Sequence, residues 1–244
     1  MPFIIFAGSF PKKNEVQLAK KSGAKVLAFA SGETIARRMI DFGVDALILE
    51  GSEAGGHIGH VSLVILLQQV LFAVRDIPVV VAGGIATGRL MAHLLLMGAA
   101  GIQMDTRFVM TEECEVNPAF KQAFIKARAR DAVATPAVGS ELHVVAVRAI
   151  QNKGMREFTD LQMELIQKVR NGEVTQKEAQ FQVENFWVGA LKRAAINGDI
   201  TDGSLMAGQS VGLVNTIQSI RELFDELISD AEEELERIRG LLEQ

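Results

Sequence analysis

Residues 78–88, PVVVAGGIATG, carry a continuous apolar run into a pair of glycines and then into a helical segment. Because its apolar residues are continuous rather than alternating, the run predicts a strand that is buried on both faces. Four other runs share this composition: Phe3–Ala7, Lys25–Phe29, Ala46–Leu49 and Gly101–Met104. The segments between them have apolar residues at helical spacing, and most end on a glycine just before the next strand. This serial repeat predicts an α/β fold with a parallel sheet and outer helices.

Composition and charge narrow the class of protein. The chain has 244 residues, of which 48% are hydrophobic, so a disordered or fibrous chain is excluded. A formal net charge of −5 argues against a nucleic-acid-binding platform. The single cysteine, Cys114, excludes an internal disulfide and favours a reducing cytosol. We expect no membrane span, since no apolar run reaches roughly 18–20 residues. We also expect no signal peptide, since the start MPFIIFAGSFPKK is apolar for only a few residues before two lysines.

The pattern changes after Asp105. Residues 112–130 have helical spacing, residues 131–147 read as a loop with one extended stretch at 142–147, and most of the chain beyond Glu157 is helical. The last segment, Ile217–Leu242, predicts an amphipathic helix whose acidic face, including the run AEEELE, is solvated. We therefore expect two parts, a strand-and-helix repeat over residues 1–131 and a mostly helical region over residues 132–244.

Loops at the carboxyl ends of parallel strands are where α/β proteins bind ligands, and the loop at residues 50–60, EGSEAGGHIGH, is suited to chemistry. Its four glycines allow the backbone to approach a flat or phosphorylated ligand closely. His57, at the rim, can donate or remove a proton near neutral pH. A flexible turn with a solvated histidine is the alternative, and the position at a strand end favours function.

Two further loops offer groups that bind anions. Gly83 and Gly84 precede a helix, whose first N–H groups and positive dipole end attract negative charge, although tight turns also use glycine for shape alone. Thr106 and Arg107 could complete a phosphate site, or Arg107 could pair with a carboxylate. In (β/α)8 barrels the loops after strands seven and eight build the phosphate site. If these are those loops, Phe3–Ala7 is strand four and the first three units are missing.

The chain resembles the nitronate monooxygenase family of FMN-dependent (β/α)8 barrels, which includes 2-nitropropane dioxygenase and the flavin-containing enoyl-acyl-carrier-protein reductase FabK. The resemblance rests on three segments in order: EGSEAGGHIG (50–59), PVVVAGGIATG (78–88) and GIQMDTRF (101–108). A later segment, NGDITDGSLMAGQSVGLV (197–214), is similar to the reductase branch. The resemblance implies an α/β fold of the TIM-barrel family, truncated to strands four to eight, with residues 1–131 binding flavin and the helical region packing on the barrel.

The resemblance also implies a role for each matching residue. His57 matches the active-site histidine, which lies over the flavin and transfers a proton. The other matching residues are expected to bind FMN: Gly8, Ala54, Gly55 and Gly56 near the ring, Gly83, Gly84 and Thr106 at the phosphate, and Met206, Ala207, Gly208 and Gln209 in a segment that returns to the pocket. Asp105 lies in the same phosphate loop, where the family has glycine, and its carboxylate would repel a dianionic phosphate.

The expected reaction is the NAD(P)H-dependent reduction of an enoyl-acyl-carrier-protein thioester in fatty acid synthesis, with FMN as cofactor. Oxidation of an alkyl nitronate by oxygen is the alternative, and an inactive, truncated homologue is the second alternative. We expect a small-molecule or acyl-carrier-protein-bound substrate, no metal, and no nucleic-acid or membrane partner. We also expect a homodimer, since a half-open barrel exposes a strand edge and apolar surface. The expected compartment is the cytoplasm.

Overall fold

The computed structural model describes residues 2–7, 10–135, 142 and 146–243. The chain divides into two compact units. Unit 1 comprises Met1–Ala54, Ile58–Met104 and Ser219–Gln244, and unit 2 comprises Gly55–His57 and Asp105–Gln218. The predicted division of the chain after residue 131 stays a prediction.

The described residues form eight strands and nine α-helices, numbered here in chain order. The strands are β1 (Phe3–Phe6), β2 (Lys25–Ala30), β3 (Ala46–Glu50), β4 (Gly56–His57), β5 (Val79–Ala82), β6 (Gly101–Gln103), β7 (Ala132–Ala134) and β8 (Val147–Ile150). The helices are α1 (Lys13–Lys21), α2 (Glu33–Phe42), α3 (Leu63–Leu66), α4 (Gly88–Leu96), α5 (Thr106–Val109), α6 (Pro118–Lys126), α7 (Lys153–Arg170), α8 (Gln176–Ala195) and α9 (Ile220–Leu242). A π-helical stretch, Leu67–Leu71, continues α3, and Ala129–Asp131 and Gln209–Leu213 are 3-10 turns.

Unit 1 is built on a parallel sheet of five strands in the order β1-β2-β3-β5-β6. These are the five strands that the apolar runs predict, and the prediction of an α/β fold is confirmed. Strand β3 is buried over its first four residues, as expected for a strand covered on both faces. Leu47, Leu49 and Val81 have no exposed surface, and they share one apolar core with Met39 of α2 and Val70 of the π-helical stretch.

Helix α9 belongs to unit 1, where it packs against α4. The expectation that its acidic run is solvated is wrong at one position, because Glu234 is only 2% exposed. Its carboxylate bonds to Arg237 and His93, at 2.6 and 2.7 Å, and pairs with Arg89 at 3.2 Å. The Arg237 hydrogen bond, with help from His93 and Arg89, lowers the pKa of Glu234 to about 2.

Unit 2 contains a small antiparallel sheet in the order β4-β8-β7, together with α5 to α8. Helices α7 and α8 pack around aromatic rings, with the centroids of Phe158 and Trp187 4.4 Å apart. None of the helices in the described ranges is long and apolar enough to cross a membrane.

The expected helix over residues 112–130 is shorter in the structure. It begins only at Pro118, after the Asn117 side chain accepts a hydrogen bond from the Ala119 N–H at 2.9 Å. An asparagine cap followed by proline is a strong helix start, and it outweighs the helical spacing of residues 112–117. The expected extended stretch at 142–147 falls largely outside the described residues, and β8 begins at Val147.

Candidate functional site

The segment that follows β3 is a loop whose two ends are hydrogen-bonded to each other. The Ser52 N–H donates to the Val61 carbonyl at 2.9 Å. The Glu53 carboxylate accepts the N–H of Leu63, the first residue of α3, with its two oxygens at 3.0 and 3.3 Å. A Cβ at Gly51 would lie 2.6 Å from the Cβ and 2.7 Å from the N of Leu63. Only glycine fits there, so the closed loop that carries residues 54–60 depends on Gly51.

The turn after β5 needs glycine for a different reason, which is its backbone conformation. Gly83 and Gly84 adopt positive φ angles of 89° and 72°, which side chains other than glycine rarely adopt. Within the described ranges, no acceptor takes a hydrogen bond from the backbone amides of residues 83–86. A Cβ at Gly83 would lie 3.2 Å from the Cβ of Ala54, so unit 1 brings three predicted residues together.

Unit 2 brings the other predicted segments into backbone contact. A Cβ at Gly55 would lie 2.6 Å from both the carbonyl carbon of Ala207 and the N of Gly208. The Thr106 hydroxyl accepts the Gly208 N–H at 3.2 Å, and both residues are buried. The predicted contributors Gly55, Thr106 and Gly208 are therefore neighbours, although about 50 and 100 residues separate them along the chain.

His57 lies in β4, where it is opposite Val147 of β8. Its side chain is exposed, and it makes no hydrogen bond or ion pair with the part of the chain that the structure describes. Strand β8 also bridges to Met206 through Ala149, so one strand supports both the histidine and the half-buried methionine. The strand pairing fixes the backbone of His57, and its exposed imidazole is open to a ligand.

Asp105 directly precedes α5 but does not cap it through its side chain. Asp105 is an exposed residue, yet partial desolvation of its carboxyl raises the pKa, because loss of water disfavours the charged form. Gln209, half-buried, starts a 3-10 turn directly after Gly208, and Gly56 has a φ of 74°. Gly8 lies outside the described residues.

Two features of the site escaped the sequence reasoning. Glu53 lies inside the glycine motif of residues 50–60, but no local sequence pattern predicts its hydrogen bond with a backbone N–H ten residues later. The pairing of β4 with β8 joins positions about 90 residues apart. The sequence predicted an extended stretch at residues 142–147 but no partner for it. Among the described residues there is no group of His, Cys, Asp or Glu that could hold a metal ion.

Comparison with proteins of known sequence identifies one family and several relatives. The profile of the family described as nitronate monooxygenase matches residues 1–230. The chain is 30% identical over 258 residues to (3aS,4S,5R,7aS)-5-hydroxy-7a-methyl-1-oxo-octahydro-1H-indene-4-carboxyl-CoA dehydrogenase of Mycobacterium tuberculosis (strain ATCC 25618 / H37Rv). That match covers 96% of this chain and 72% of the dehydrogenase.

Solved structures of similar fold include a FabK and a nitroalkane oxidase. FabK from Thermotoga maritima is 34% identical with a TM-score of 0.83, over 98% of this chain and 71% of that one. Nitroalkane oxidase from Streptomyces ansochromogenes is 26% identical with a TM-score of 0.76, over 97% of this chain and 66% of that one. These likenesses confirm the prediction of the TIM-barrel family. The predicted resemblance is confirmed as well: the chain belongs to the nitronate monooxygenase family of oxidoreductases.

Proposed function

We propose that this chain is an FMN-dependent oxidoreductase that reduces enoyl thioesters, carried by acyl carrier protein, at the expense of NAD(P)H. The observation that carries the proposal is the contact between Gly55 and the Ala207–Gly208 backbone. It seats the segment that resembles the reductase branch directly on the glycine loop that bears His57. The likeness to FabK and to a dehydrogenase of a CoA thioester supports a thioester substrate.

The donors of unit 1 fit the phosphate of FMN. The amides of residues 83–86 lack acceptors among the described residues, and they precede α4, whose dipole favours a negative charge. In unit 2, the Thr106 oxygen accepts the Gly208 amide, which leaves its hydroxyl proton to donate. Asp105 opposes a phosphate when it is ionised. Its raised pKa makes the neutral form more accessible and reduces that opposition.

FMN, when bound, would supply the hydride chemistry that links NAD(P)H to the substrate. The chain's own residues position the reactants and manage the proton. Hydride addition to one carbon of the enoyl double bond must be matched by a proton on the neighbouring carbon. The exposed His57 imidazole is the group we assign to that proton.

Oxidation of alkyl nitronates is the second candidate function. The family profile itself and the likeness to nitroalkane oxidase favour it. In that reaction we expect His57 to act as a base or to stabilise negative charge. The two functions differ in their co-substrates, since only the reductase consumes NAD(P)H and only the oxidase consumes oxygen with a nitronate.

The visible absorption spectrum of the purified chain, recorded with and without added FMN, is the first test. A stoichiometric, protein-bound flavin band supports both candidates. Enoyl-thioester-dependent NAD(P)H oxidation and nitronate-dependent oxygen uptake then separate them. No bound flavin at excess FMN would overturn both and favour an inactive homologue.

We also propose that the protein acts in the cytoplasm, where NAD(P)H is available, and that it forms a homodimer.

A further inference from the structure

We infer that Glu53 is a positioning residue whose carboxylate latches the loop of residues 51–63 and thereby holds Ala54 ready for the flavin. The inference rests on the proposed flavin-dependent function. It concerns a side chain that we assign neither to the substrate nor to the cofactor.

The first argument is the hydrogen bond at the start of α3. The side chain of Ser62, at the position where a helix cap normally acts, makes no capping bond. The two Glu53 oxygens take that place, at 3.0 and 3.3 Å from the Leu63 N. A charged acceptor makes a stronger hydrogen bond than a hydroxyl does, so this bond is stronger than an ordinary serine cap.

The second argument is the packing around the Glu53 side chain. A Cβ at Gly51 would collide with the Oε2 of Glu53, and a Cβ at Gly84 would lie 3.2 Å from its Cβ. The side chain therefore contacts the glycine that starts the loop and the glycine turn after β5, and it bonds to α3. It is a fixed point shared by the two loops of unit 1 from which the flavin contacts are predicted.

The third argument is the contrast with an ordinary capping glutamate in the same unit. Glu222 accepts the Ser219 N–H at 2.8 Å and caps α9, with the Ser219 hydroxyl completing the reciprocal pair. That bond spans three residues and encloses no loop, whereas the Glu53 bond spans ten residues and encloses the glycine motif. Removing either carboxylate weakens a helix start, but only the loss of Glu53 opens a loop, at Ala54 and at residues 58–63 of unit 1.

A released loop must be reordered before it can bind a ligand, and that ordering reduces the apparent affinity. We expect Glu53→Ala to weaken FMN binding at least about tenfold, the effect of losing a hydrogen bond to a charged group. Glu53→Gln keeps an acceptor for the Leu63 N–H and should recover most of the affinity. Quenching of flavin fluorescence on titration measures all three dissociation constants.

Glu222→Ala is the matched control. We expect it to lower the melting temperature of the FMN-free protein as Glu53→Ala does, and to leave the affinity for FMN unchanged. Unaltered FMN binding in Glu53→Ala, or equal weakening in Glu222→Ala, would overturn the inference.

Hydrogen exchange in the FMN-free protein tests the latch apart from the cofactor. The amides of Ala54 and of residues 58–63 should exchange about tenfold faster in Glu53→Ala than in the native chain, with no such change in Glu222→Ala. Equal exchange overturns the latch even if FMN binds. If the native chain binds no FMN, the proposed function fails and so does the flavin-positioning role, while faster exchange would retain only the structural latch.

Discussion

The loops after β3 and β5 both place glycines at the ends of neighbouring strands, yet glycine serves a different purpose in each. Gly51 lacks a positive φ, and its surroundings leave no room for a side chain. Gly83 and Gly84 have positive φ angles, and an added Cβ would meet its nearest neighbours only at 3.1–3.2 Å. In the first loop glycine allows closure, while in the second it allows a positive-φ turn whose amides have no acceptor among the described residues. The first loop is suited to holding a histidine, the second to holding an anion.

The largest effect we predict is the loss of turnover in His57→Gln, because the first loop would lose its proton donor. Removing a general acid lowers turnover by roughly a hundredfold to ten-thousandfold. Steady-state kinetics with the enoyl thioester measure this, with FMN content as a check that the pocket persists. His60→Gln is the control, since His60 is an exposed histidine of the same loop. Equal losses in both variants would show that the loop, and not His57, is what matters.

The next largest effect is a loss of stability in Gly51→Ala. The added methyl group would overlap the Leu63 backbone, and overpacking of this kind costs about 3 kcal/mol. Urea denaturation of the FMN-free protein measures the free energy of unfolding. Gly240→Ala is the control, because nothing lies within 4 Å of its new Cβ in helix α9, and it should stabilise slightly. An unchanged stability in Gly51→Ala would contradict the closed loop.

Asp105 tests the proposed contribution of unit 2 to phosphate binding, which the neighbouring Thr106 would make. Its pKa is raised in the folded chain, so the carboxyl is neutral at low pH and becomes charged, and repulsive to phosphate, as the pH rises through that value. Asp105→Asn should therefore bind FMN several-fold to about tenfold more tightly than the native chain at pH 8, and this advantage should be smaller at pH 4.

Fluorescence titration at both pH values measures the ratio of affinities for FMN, which cancels the titration of the phosphate itself. Asp41→Asn, on the exposed side of α2, makes the same change in charge and should leave the ratio near one. A ratio for Asp105→Asn that does not depend on pH would place the phosphate away from Asp105.

The five strands of unit 1 could be predicted because each is a continuous apolar run, a local signal that burial on both faces imposes. The contact of Gly55 with Ala207 could not, since no local pattern encodes a pairing over about 150 residues, and only the family resemblance grouped these segments. The acidic run of α9 led to one wrong prediction. In the sequence Glu234 looks like the other solvated acids of the run, and only its three basic partners on α4 and α9 explain its burial.

The smallest effect we predict distinguishes the two loops most directly. In Gly84→Ala the new Cβ would lie 3.2 Å from the Glu53 Cβ, so strain at the positive φ, and not collision, sets the cost at about 1 kcal/mol. Gly98→Ala has a φ of 106° with nothing within 4 Å of the Cβ, and its cost should match. Because Gly84→Ala keeps the backbone N–H groups, FMN affinity should fall only a few-fold. A loss of stability as large as that of Gly51→Ala would mean that the turn after β5 is as closely packed as the loop after β3. Close packing, and not the exposure of amides to an anion, would then explain the glycines of this turn.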